Sequence, residues 1–145
     1  MIDLKNITPY ERSVLYYETD RMGIVHHSNY IRWMEEARMD WMTKIGWAYK
    51  SIEDDGIIIP VLSAYAEYKT MCRFGDTVDI YVKLSEYTGV RVGFSYEILD
   101  KETGELRCVG KTSHCLLDDK NKLLFVRKAY PEKDLLFKEL LEKSE

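Results

Sequence analysis

The sequence predicts an α+β domain in which an antiparallel sheet packs on one long helix. Three observations carry this. Apolar residues recur at helical spacing from Asn29 to about Ile45, a period of two takes over from Thr77, and the turn signals "FGD", "YTG" and "KETGE" divide the β-type runs. The 145 residues suit a single domain spanning 1–145, large enough for one core but not for two.

Taken in order, β-type residues lead through Tyr16 and Tyr17 to a lone aspartate, Asp20, and then to Gly23. The helix follows. Tyr30, Trp33, Met34, Ala37, Trp41 and Ile45 form its apolar stripe, Ser28 or Asn29 can cap its first turn, and Gly46 is a natural stop. Trp33 and Trp41 belong to that stripe and are expected in the core. A short helical piece occupies Ala48 to Asp54. "GIIIPVLSAYAEYKTMC" is rich in β-formers. Val78, Ile80, Val82 and Leu84 then alternate with polar neighbours, as do Val90, Val92, Phe94, Tyr96 and Ile98, and "ELRCVGKTSHCLLDD" supplies another strand. The turns imply an antiparallel meander for the later strands. Pro131 to Ser144 opens with proline and acids and carries Leu135, Leu136, Leu140 and Leu141, as a C-terminal helix would. One helix cannot cover both sheet faces and both edges, so self-association is expected.

Composition narrows the function. With 21 Lys and Arg against 25 Asp and Glu, the chain has no basic footprint for nucleic acid. Cys72, Cys108 and Cys115 are odd in number and at no metal-ligand spacing, which argues against a disulfide framework or a zinc site and for a reducing compartment. No apolar run is long enough for a signal peptide or a membrane span, so a cytoplasmic location is expected.

The junction before the helix holds the candidate chemistry. Aspartate is an ordinary turn residue, and a solvated loop acid is one reading of Asp20. Its position gives another. Backbone N–H groups near His27 to Tyr30 lack intrahelical partners, and together with the helix dipole they favour negative charge, including the oxyanion of acyl transfer. A carboxylate there is ionised at neutral pH without an activating base. The neighbours have plainer readings. His26 reads as a loop histidine, because no further ligand lies at zinc spacing, and His114 as a packed or edge histidine. Glu35 and Glu36 read as helix-surface acids paired with Arg32 and Arg38 at i±3 or i±4.

The stretch "YYETDRMGIVHHSNYIRWMEEAR" resembles the signature of the 4-hydroxybenzoyl-CoA thioesterase family of the hotdog fold: an aromatic run, an acid-rich turn ending in Asp, then G-[IV]-V-x-x-x-x-Y-x-x-x-x-E-x-A-R. Beyond it the resemblance is one of order and pattern, with the long helix as the sausage, "VLSAYAEYKTMCRFGDTVDIYVKL" as the paired strands that follow, and the rest as the bun. It implies an acyl-CoA thioesterase in which Asp20 is nucleophile or general base and the His27 N–H polarises the thioester carbonyl. The His27 side chain matches the short-chain acyl-CoA branch, where the aryl-CoA branch carries an aromatic residue, so an aliphatic acyl group is expected. Tyr17, Gly23 and Tyr30 are expected at the substrate site, with Tyr30 and Trp33 bordering a short acyl pocket. Arg91 is the first candidate for the coenzyme A phosphates, ahead of Arg73 and Lys111, and the resemblance places the nucleotide across a subunit boundary. A homodimer or homotetramer without metal or redox cofactor follows. Two alternatives stay open: hydrolysis of acyl groups on acyl carrier protein, and a noncatalytic module that binds acyl-CoA or a protein partner.

Overall fold

The computed structural model describes residues 6–143. Its elements are β1 (Tyr10–Ser13), a 3₁₀ turn (Tyr16–Glu18), α1 (Ser28–Lys44), α2 (Tyr49–Asp54), β2 (Val61–Tyr68), β3 (Thr77–Tyr87), β4 (Arg91–Asp100), β5 (Leu106–Cys115), α3 (Val126–Ala129) and α4 (Pro131–Lys143). The five strands form one sheet in the order β1-β3-β4-β5-β2, with every neighbouring pair antiparallel.

β3, β4 and β5 make the meander that the turn signals predict. β2 and β3, expected as a pair, do not pair. β1 and β4 occupy the two edges of β3, and β2 lies outside β5 with Ala64 opposite Thr112. Nor do Tyr16 and Tyr17 continue a strand, because the chain leaves the sheet after Ser13 and coils into the 3₁₀ turn.

Helix α1 lies across the sheet with Trp33, Met34, Ala37, Trp41 and Ile45 buried, and the Trp41 ring meets Phe94 edge-on at 5.3 Å. Large side chains buried this completely contribute about 1.5–3 kcal/mol each. The helix ends as its glycine predicts. Gly46 takes φ +95°, the Trp47 N–H reaches the Met42 carbonyl at 2.9 Å, and the Gly46 N–H reaches Thr43 at 3.1 Å. The alternating residues Val78, Ile80, Leu84, Val92, Phe94, Tyr96 and Ile98 face this helix and are all buried. Across the sheet's end, α4 buries Phe137 and Leu140, and the Phe137 ring sits against Trp47 and Tyr87. Leu135 points outward instead. No helix among the described residues is long and apolar enough to cross a membrane.

Candidate active site

Asp20 opens a tight hairpin turn. Thr19 and Val25 form a bridge, the Asp20 N–H donates to the Ile24 carbonyl at 2.8 Å, and the Gly23 N–H returns to the Asp20 carbonyl at 3.0 Å. Gly23 closes this turn at φ +78°, a conformation that side chains resist. The Asp20 carboxylate accepts the Met22 N–H at 2.8 Å, which fixes its direction. The loop is also held from outside, since the Val25 N–H donates to the carbonyl of buried Cys72 at 2.9 Å and Ile24 bridges Arg73.

The start of α1 is capped by neither Ser28 nor Asn29. The His26 ring does this instead: its Nδ1 accepts the Ser28 N–H at 3.2 Å and meets the Ser28 hydroxyl at 2.8 Å. The Asn29 side chain donates to the Glu18 and His26 carbonyls, binding the helix to the 3₁₀ turn. Most of the opening donors are thereby used, with His26 N–H on Glu18, Asn29 N–H on His26 and Tyr30 N–H on His27. Among the described residues the His27 N–H has no acceptor, so it stays free at the positive end of the helix.

Asp20 and His27 line the same cavity, of about 230 Å³. Its walls include Tyr30, Tyr68, Met22 and Met71, and Lys69 and Thr70 stand at its margin. Tyr68 was not foreseen. Its ring lies 5.2 Å from that of Tyr30, and its hydroxyl donates to the His27 carbonyl at 3.4 Å. Tyr30 is buried, and burial beside Cys72 pushes its hydroxyl well above the usual tyrosine range, so it is a neutral wall. Lys69 is tied to Glu67 at 2.5 Å.

A second residue missed from sequence is Glu18, two positions before Asp20 and buried. Its carboxylate receives both Arg12 Nη groups at 2.9 and 2.8 Å, the Leu15 N–H at 2.8 Å and the Trp33 indole N–H at 3.0 Å. Burial alone would raise its pKa. The Leu15, Trp33 and Arg12 donors outweigh burial and hold it below the usual carboxylate range. Glu18 thus pins the 3₁₀ turn before Asp20 to the core of α1, and only its place in an acidic turn beside aromatics hinted at it.

Several expected residues lie elsewhere. Tyr17 is 76% exposed on the 3₁₀ turn and does not line the cavity. Gly23 shapes the Asp20 turn rather than the cavity wall. Arg91 opens β4 opposite Cys115, level with the Val61 end of β2, whereas the cavity adjoins Tyr68 at the other end. Glu36 pairs with Arg12 at 2.9 Å and accepts from the Tyr10 hydroxyl, not from Arg32 or Arg38. Glu35 makes no ion pair among the described residues. Trp33 and Trp41 are core, and His114 is fully buried, its Nε2 on the Thr112 hydroxyl at 2.8 Å.

Residues 14–140 match the thioesterase-like superfamily. The chain belongs to that superfamily. Its fold is the hotdog, α1 being the helix that the antiparallel sheet wraps. It is 33% identical over 128 residues to a Bacillus subtilis protein named "Putative acyl-CoA thioesterase YneP", covering 88% of this chain and 92% of that one. It is 36% identical over 108 residues to a "Putative esterase" of Aquifex aeolicus, covering 74% of this chain and 83% of the other. In structure it is similar to a DHNA-CoA thioesterase from Staphylococcus aureus, with a TM-score of 0.88, 29% identity, and coverage of 93% of this chain and 91% of that one.

Proposed function

We propose that this thioester hydrolase cleaves an acyl-CoA thioester to the free acid and coenzyme A at the Asp20 cavity. The observation that carries the reading is the meeting of a carboxylate and an unpartnered helix-start N–H in one pocket. The carbonyl oxygen accepts from the His27 N–H, which stabilises the charge that develops there. The Asp20 carboxylate either takes a proton from the attacking water or attacks the carbonyl carbon itself. The tetrahedral intermediate then expels the coenzyme A thiolate, which in the general-base route takes up the proton that Asp20 holds. In the nucleophilic route water next hydrolyses the acyl–Asp20 anhydride, releasing the free acid and restoring the carboxylate. This chemistry asks for no metal or redox cofactor and suits a cytoplasmic enzyme.

The tyrosine walls set the acyl group. A cavity of about 230 Å³ closed by Tyr30 and Tyr68 favours a short or medium chain, and the His27 side chain supports an aliphatic one. A second reading, an aryl thioester stacked on those two rings, is favoured by their 5.2 Å pairing and by the Staphylococcus aureus neighbour. Within the superfamily, the signature around Asp20 favours the 4-hydroxybenzoyl-CoA thioesterase family, and His27 favours the short-chain acyl-CoA branch of that family over its aryl-CoA branch.

The working unit we propose is a homodimer, or a tetramer of two such dimers. β2 is an edge strand, and Val61, Leu62, Tyr65 and Tyr68 on it are each about half exposed. Antiparallel pairing of two β2 strands about their midpoint sets the Val61 end of one against the Tyr68 end of the other. Arg91, remote from Asp20 in its own chain, then comes level with the partner's cavity, where a cation can meet coenzyme A phosphates.

Thiol release measured on aliphatic and aryl CoA thioesters tests the chemistry. Asp20→Asn is expected to lower kcat by at least ~100-fold with the fold intact. A well-folded variant with wild-type turnover refutes the assignment.

A further inference from the structure

Arg38 is 4% exposed in the middle of α1, yet no carboxylate lies within ion-pair reach of it among the described residues. Its guanidinium meets only hydroxyls: Nη1 donates to Tyr96 and Nε to Tyr49, each at 3.3 Å. The Tyr96 hydroxyl continues to Thr112 at 2.7 Å, and Thr112 to His114 at 2.8 Å. Every group in this chain is neutral except Arg38. Burying a cation without a counter-charge is unfavourable, so the fold as one protomer leaves a charge to be met.

The place of Arg38 shows where the charge can come from. Thr112 lies opposite Ala64 in the β5–β2 register, and although Thr112 is buried, Ala64 is exposed. The helix therefore covers the sheet as far as β5 and leaves the inner face of β2 open beside Arg38. Ala64 and Tyr65 are the middle residues of Val61–Tyr68, so a two-fold axis that pairs two β2 strands about their midpoint passes beside Ala64, next to Thr112 and the hydroxyls that lead to Arg38. Glu35 is exposed on α1, three residues before Arg38. It does not use the i,i+3 contact, because Arg38 is turned inward to the tyrosines. Met39, one turn further, is 40% exposed on the same flank.

We propose that Glu35 of each protomer neutralises the partner's Arg38 across this two-fold axis. The inference rests on the dimer proposed above. The contact is isologous, as a two-fold interface requires, and it gives one ion pair on each side of the axis. It assigns one acid of the "WMEEAR" run to assembly and leaves Glu36 to Arg12 within the chain.

Sedimentation equilibrium over a dilution series, with the full chain at neutral pH, provides the test. Glu35→Gln is expected to raise the dimer dissociation constant at least ~10-fold and to flatten its salt dependence, while Glu35→Lys yields a folded monomer by circular dichroism. Arg38→Gln leaves hydroxyl partners in place, and in that background Glu35→Gln is expected to add little. If Arg38→Gln fails to fold, the Glu35 variants alone decide. A wild-type dimer whose affinity and salt dependence Glu35→Gln leaves unchanged overturns the ion pair while the dimer stands. A wild-type protein monomeric at every concentration overturns both.

Discussion

Replacing Glu18 by glutamine exchanges a carboxylate for an isosteric amide at the point where the 3₁₀ turn before Asp20 is pinned to α1. Four N–H donors converge on the two oxygens, two from Arg12 and one each from Leu15 and Trp33. An amide offers one oxygen, which can keep two of these bonds. Its NH₂ then faces the other two donors, which lose their acceptor. Each lost bond to a charged group is worth about 1.5–3 kcal/mol, so Glu18→Gln is expected to cost about 3–5 kcal/mol, the range for removing one partner of a buried ion pair. Glu36 remains on Arg12 at 2.9 Å, which keeps the cost toward the lower end. Urea unfolding at neutral pH, with the slope unchanged, measures it. The sign in acid is also fixed. Glu18 is held below its ordinary value of 4.5, so its contribution is complete above about pH 4.5 and fades as pH falls through the lower folded-state value. Wild type and variant should therefore converge in acid. A difference under about 1 kcal/mol at neutral pH, or one that persists unchanged in acid, refutes the role given to Glu18.

Three further outcomes follow from the same geometry. Burial, with Arg38 nearby, pushes the His114 imidazole down from 6.5 to about 4, so stability should be flat above pH 6.5 and fall by up to ~3 kcal/mol as pH drops toward 4. Chemical-shift titration that finds His114 protonated near pH 6.5 refutes this. Gly23→Ala meets no neighbour within 4 Å, and its cost is the strain of φ +78°, about 1 kcal/mol. Its larger effect should be on kcat, through the direction of Asp20, and unchanged turnover would detach the turn from catalysis. His27→Ala keeps the backbone N–H and should lose less kcat than Asp20→Asn; an equal loss would give the imidazole a primary role.

The sequence by itself determined the main elements and the two residues of the proposed reacting pair. Periods of 3.6 and 2.0 are local properties, so α1, β3 and β4 were legible from their own residues, as was the stop at Gly46. That Asp20 and His27 share a cavity was legible because they stand seven positions and one turn apart, a distance that hairpin and helix-start geometry alone can close. Strand pairing was not, since the hydrophobic pattern of β2 says which face is buried but not which neighbour it joins. Only packing placed it beyond β5. Glu18 was hidden for a similar reason: its four donors come from three separate segments, and no spacing in the sequence announces their convergence. Tyr68 reaches His27 across 41 residues, and it becomes a pocket wall only when β2 lies beside the start of α1. Arg91 shows the converse. Its charge suggested a phosphate partner, but the register of β4 on β5 decided that no single chain can bring it to Asp20, because the sheet's full length separates them.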